Sequence, residues 1–96
     1  IIGIAIDLDS ATKTVTFYKN EASQGVINLP TTGTGTFFIG TSSTNNGKSS
    51  INFGNGYFGT TAVASGNADG AGYGIFEYVP PTGYYSLCTK NINTYG

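Results

Sequence analysis

Ninety-six residues make one domain at most, and a charged fraction of 9 %, with four lysines, no arginine and a net charge of −1, provides no basic surface for nucleic acid. One cysteine and no histidine exclude an internal disulfide, a Cys/His nucleophile and a Cys/His zinc site. No apolar run approaches the ~20 residues that cross a bilayer, and nothing reads as a signal peptide, so the sequence describes a soluble domain with a thin core and a neutral, hydroxyl-rich surface.

Strand signals dominate, because β-branched and aromatic residues recur in short runs and glycines interrupt every stretch long enough for a helix. The opening run IIGIAID places Ile2, Ile4 and Ile6 on one face and Ile1, Gly3 and Ala5 on the other. Both faces are mainly apolar, as in a central strand. The chain enters this alternation at Ile1 rather than at a methionine, which reads as a fragment or processed piece with its natural start upstream. The turn residues of LDSATK lead into TVTFYKN, where Val15 and Phe17 form an apolar face against Thr14, Thr16 and Tyr18. The two runs form an expected hairpin, and Asn20 ends the second as a turn residue.

After EASQG, residues 26–29 make a short strand closed by Pro30, and TTGTG is a flexible connection. Residues 36–42, TFFIGTS, make the next strand, TNNGKS a tight turn, and SINFGN a further strand with Ile51 and Phe53 on one face. Turn signals every dozen residues or so predict an antiparallel sandwich or barrel. Residues 56–74 are rich in small residues, carry the single charge Asp69, and are expected to form a long irregular loop; a loop of this length serves recognition or is a plain excursion. Residues 75–79 are the last strand. Residues 80–96 then close the domain: Pro80 and Pro81 stiffen the path and Gly83 permits a sharp turn. Tyr84, Tyr85 and Leu87 are expected to fold back on the sandwich edge as a clamp, in preference to a ligand-binding aromatic pair.

Few residues carry chemistry. Asp7 and Asp9 could offer oxygens to calcium, but calcium takes about six to eight and no Asp-rich loop surrounds them, so they read as turn stabilisers. Glu21 and Glu77 are the only glutamates and no cleft pairs them for glycoside hydrolysis. GNADGAG and GNG lack the Lys and Ser/Thr of a phosphate loop, and Cys88 reads as a small apolar residue. No catalytic, metal or cofactor site is expected.

The blocks IGIAIDLDSATKTVTFYKNEASQG, INFGNGYFG and FEYVPPTGYYSLCTKN, in that order, resemble the C-terminal half of a SPRY domain, closest to those of bacteriophage virion and tail-fibre proteins. The resemblance implies an all-β fold, an antiparallel two-sheet β-sandwich of concanavalin A-like jelly-roll type, seen as a partial domain over residues 1–96. Its first strands would come from residues upstream of Ile1 or from another chain. The 56–74 loop is longer than the family's short connection. The resemblance also implies a non-enzymatic structural or binding module on the exterior of a virion, such as a fibre or appendage. Its partners would be other virion subunits, identical copies, or a host-surface glycan or protein. If the loop makes such contacts, Tyr57, Phe58 and Tyr73 are the expected aromatic residues, with a core role for Phe58 as the alternative. A lectin-like carbohydrate-binding or carbohydrate-processing domain and a peptide-binding adaptor are the competing readings, since the same architecture hosts them.

Overall fold

The computed structural model describes residues 1–30 and 36–95; the connection expected over residues 31–35 lies outside them. Most of the regular structure is antiparallel strand, with one short helix. The first sheet is formed by β1 (Ile2–Asp7), β2 (Thr14–Lys19) and β3 (Ala22–Asn28) in the order β1-β2-β3. Ile4 lies opposite Phe17 and Ile6 opposite Val15, while Ala5 faces Thr16. The period-2 pattern therefore puts isoleucine, valine and phenylalanine on one face, and the register follows from the need to keep them together.

Both hairpins have a local cause. In the β1–β2 connection, the Asp7 carboxylate accepts hydrogen bonds from the amides of Asp9 and Ser10, both at 3.0 Å, and from the Ser10 hydroxyl at 2.6 Å. The Ser10 hydroxyl, then the Ser10 and Asp9 amides, hold this half-buried acid below its ordinary range. The β2–β3 turn is only two residues long, Asn20 and Glu21, with φ of 47° and 72°. Positive φ at both positions is the type I′ geometry that matches strand twist. Glutamate gains nothing from this conformation, so Glu21→Gly is expected to stabilise the protein by about 1 kcal/mol. An unchanged midpoint in chemical denaturation would show that the turn carries no strain.

β3 begins earlier than the apolar pattern predicts. EASQG is not a connection: Ala22 and Ser23 pair with Lys19 and Tyr18, and a bulge follows, with Gly25 at φ 107°. The residue missing an apolar partner is absorbed where glycine tolerates the backbone.

The remainder departs further from expectation. Residues 36–42 and 49–55 form no strand, and residues 75–79 contribute only a bridge from Phe76 to Asn67. A strand needs a neighbouring edge to satisfy its backbone, and among the described residues these runs find only isolated backbone pairings, Phe76 with Asn67 and the Ile75 amide on the Gly54 carbonyl; Phe38 is 90 % exposed. Residues 56–74 are more ordered than a loop: β4 (Tyr57–Phe58) and β5 (Thr61–Ala62) form a small hairpin. The chain ends in α1 (Thr89–Tyr95), a helix that no sequence signal announced.

The core is thin. Among the described residues Ala5 and Val15 are the only buried apolar side chains. The accessible surface is 7051 Å², about 1,800 Å² more than a folded chain of this mass exposes. The radius of gyration, 14.1 Å, likewise exceeds the ~12.5 Å of a compact chain of this length. The isoleucine face of the first sheet and the apolar side chains of the C-terminal half look into an open cleft between them.

Candidate functional site: a carboxylate hub and an open cleft

Two features of the C-terminal half stand out: a buried carboxylate and the cleft beside it. Asp69 is 6 % exposed. Its Oδ1 accepts from the amides of Ala71 at 2.9 Å and Tyr73 at 3.0 Å. Its Oδ2 accepts from the Ser86 amide at 2.7 Å, the Ser86 hydroxyl at 2.8 Å and the Asn91 side-chain amide at 2.9 Å. The first two donors close the Asp69–Tyr73 turn, which also has the Gly72 amide on the Asp69 carbonyl. The others tie that turn to the closing segment and to α1.

Asn91 is 4 % exposed and reaches the hub from the first turns of α1. Its amide also donates to the Ser86 carbonyl at 2.9 Å, and its Oδ1 has no partner among the described residues. The orientation follows from charge, since the reverse flip would point Oδ1 at the Asp69 carboxylate. A seven-residue helix of Thr, Lys, Asn, Ile and Tyr is marginal alone; the Asn91 contacts are what fix it.

Burial pushes the Asp69 acid up, but the amides of Ser86 and Tyr73, the Ser86 hydroxyl and the Asn91 amide outweigh it and hold the carboxyl far below its ordinary value of 3.8. A group depressed in the folded state contributes stability above its unfolded pKa and loses it as pH falls toward the folded value. Stability is therefore expected to stay level from neutral pH to about 5 and to decline below about 4. Ser86→Ala removes one donor and costs about 1–2 kcal/mol at neutral pH; because the folded-state acid then lies closer to its unfolded value, the acid decline is smaller and levels off at higher pH. Urea melts across this range test it; identical profiles for both proteins would contradict it.

Chemically, five donors saturate the two carboxylate oxygens, so Asp69 is neither a base nor a cation ligand. It is a clasp. In the sequence Asp69 shows only as the single charge of residues 56–74. A lone carboxylate among eighteen uncharged neighbours in residues 56–74 was the available signal.

A second knot supports the clasp. The Asn52 side-chain amide donates to the Ile75 carbonyl at 2.9 Å, and its Oδ1 accepts from the Gly54 amide at 2.6 Å. Gly54 and Gly74 lie against the Phe76 ring with φ of 116° and 87°. Glu77 accepts from the Ala64 amide at 2.6 Å, which makes it a turn anchor.

The predicted contact residues separate. Tyr57 and Tyr73 are exposed and lie outside the cleft, whereas Phe58 is half-buried and lines it. The closing segment turns at Gly83 as expected, with φ 86° and the Tyr84 amide on the Pro81 carbonyl at 3.0 Å. The clamp is built differently, however: Tyr85 stacks on Tyr95 of α1, centroids 4.0 Å apart, while Leu87 is 65 % exposed. A partner ring on the helix, absent from the strand-only expectation, captures Tyr85.

The cleft measures about 1,690 Å³, larger than the ~300–1,000 Å³ of a small-molecule site. Four of the five acidic residues line it and none of the four lysines does. Among the described residues no group of three or more His, Cys, Asp or Glu could hold a metal ion, and no helix is long and apolar enough to cross a membrane. No family model, curated protein or solved structure matches the chain.

Proposed function

We propose that the chain is a non-enzymatic structural or binding module on the exterior of a virus particle, a part of a SPRY-type two-sheet β-sandwich that works by contact with neighbouring subunits or a host surface. The observation that carries the contact role is the uncovered apolar surface. The total accessible surface exceeds that of a compact chain of this mass by about 1,800 Å², and Ile2, Ile4, Phe53, Val79 and Leu87 stand exposed along the cleft. A Phe- and Ile-lined cleft of this extent marks an interaction site. The saturated Asp69 clasp supports the same reading, because the most buried titratable group holds shape and performs no proton transfer. The viral setting is supported by the three sequence blocks that resemble phage fibre domains.

A lectin-like role is the second reading, favoured by the exposed rings of Tyr57 and Tyr73. A glycan array separates the two. The structural reading expects no selective sugar signal, together with stable association with other particle subunits in sedimentation. Selective sugar binding that disappears in Tyr57→Ala or Tyr73→Ala would replace it with the lectin. Capture of a defined host peptide would favour a peptide-binding adaptor.

A further inference from the structure

β1 is the exposed edge of its sheet. Among the described residues the order β1-β2-β3 leaves its outer side unpaired, and the Asn20 amide donates to the Ile1 carbonyl at 2.9 Å. Ile1 and Asn20 therefore form a hydrogen-bonded pair, and by the antiparallel alternation the odd residues of β1 bond to β2. The N–H and C=O groups of Ile2, Ile4 and Ile6 then point to the free edge. The opposite edge, β3, is blunted by its bulge at Gly25, a common protection against pairing. β1 has none: no proline, no bulge and no charge before Asp7.

The cleft runs along this edge. Every residue from 1 to 9 lines it, so residues of both strand faces contribute, and the opposite wall is the unbroken run 76–87. That wall bridges to Asn67 at Phe76 and turns at Gly83, so β1 supplies the extended edge that faces the cleft. Its walls are apolar, with Ile2, Ile4, Phe53, Val79 and Leu87 exposed, and its charges are Asp7, Asp9, Glu21 and Glu77 without a lysine. An acidic, apolar slot repels a second copy of itself and attracts a cationic occupant.

We propose that the cleft accepts a β-strand from another polypeptide, one that alternates apolar residues and carries Lys or Arg at its ends, and that this strand pairs with Ile2, Ile4 and Ile6. The inference rests on the subunit-contact reading and names the chemistry of the contact. Main-chain bonds along the edge supply affinity, alternate side chains fill the slot, and the basic ends meet the acidic rim.

The test uses the peptide acetyl-Lys-Val-Thr-Val-Thr-Val-Lys-amide, long enough to span β1 at ~3.3 Å per residue, with calorimetry and residue-resolved amide exchange. The expected result is binding that slows exchange at Ile2, Ile4 and Ile6. N-methylation of the peptide along one edge abolishes binding, and glutamate ends weaken it about tenfold at low salt. Because these controls alter the peptide only, the fold of the protein is untouched. Equal binding of all versions, or none, would overturn the inference, as would slowing of these amides by self-association without peptide. If particle subunits bind while these amides still exchange freely, the strand-acceptor inference fails and the contact role stands.

Discussion

Replacing Asp69 with alanine is expected to cost about 3–5 kcal/mol, enough to unfold much of a chain whose total stability is of the order of 5–15 kcal/mol. The size follows from what the substitution leaves behind. Asp69, Ser86 and Asn91 are all buried, so the Ser86 hydroxyl and amide and the Asn91 amide lose their acceptor where water reaches poorly. Each orphaned donor costs about 1–3 kcal/mol, partly recovered by relaxation. Asp69→Asn does little better, because one of its two acceptor atoms becomes a donor facing other donors. Loss of the clasp also frees α1, whose only buried residue is Asn91. Chemical denaturation with a far-ultraviolet probe measures the cost, and amide exchange shows whether residues 89–95 open first. A change below about 1 kcal/mol would mean that the hub is ornamental.

Gly74→Ala should produce the second largest loss, about 3 kcal/mol. Two effects add. At φ 87° an L-residue is strained, and the new Cβ would run into the Phe76 ring, meeting Cε2 inside any real contact distance and Cζ at 3.0 Å. The site is crowded further by Gly54, whose own Cβ position lies 3.1 Å from the Gly74 Cα and 3.3 Å from the Phe76 Cζ. Gly70→Ala is the internal control, since nothing lies within 4 Å of its Cβ position and its φ is not positive; its effect should stay within about 0.5 kcal/mol. Equal thermal shifts for the two variants would refute this packing argument.

The parts of this fold that could be read from sequence are those whose cause is local. Ile2, Ile4 and Ile6 alternate with period two, Val15 and Phe17 match them, and the Asp and Ser of LDSATK supply the turn, so the first hairpin and its apolar face were legible. β3 extends further than its pattern because Ala22 and Ser23 follow the edge of β2 rather than any propensity of their own. The runs TFFIGTS and SINFGN carry strong β-propensity yet form no ladder, which shows how far such propensity depends on a neighbouring edge. α1 was invisible for the opposite reason: its residues are indifferent helix formers, held by a side chain that bonds 22 residues away. The clasp itself was hidden because its donors, Tyr73, Ser86 and Asn91, come together only once the chain has folded.

The same logic explains the exposed face. A sequence built for alternating strands declares which side chains should be covered, and here Ile2, Ile4, Phe53 and Leu87 remain uncovered. The Asp69 carboxylate ties its own turn to Ser86 and Asn91, both of which line the cleft.

Residue-resolved amide exchange on the free protein tests this division most directly. The account predicts that the Tyr73 and Ser86 amides, bound to the Asp69 carboxylate, exchange slowly and only through opening of the C-terminal half, while the Ile2, Ile4 and Ile6 amides exchange rapidly along an open edge. Slow exchange at those three isoleucines in the isolated monomer, or rapid exchange at Ser86, would contradict it.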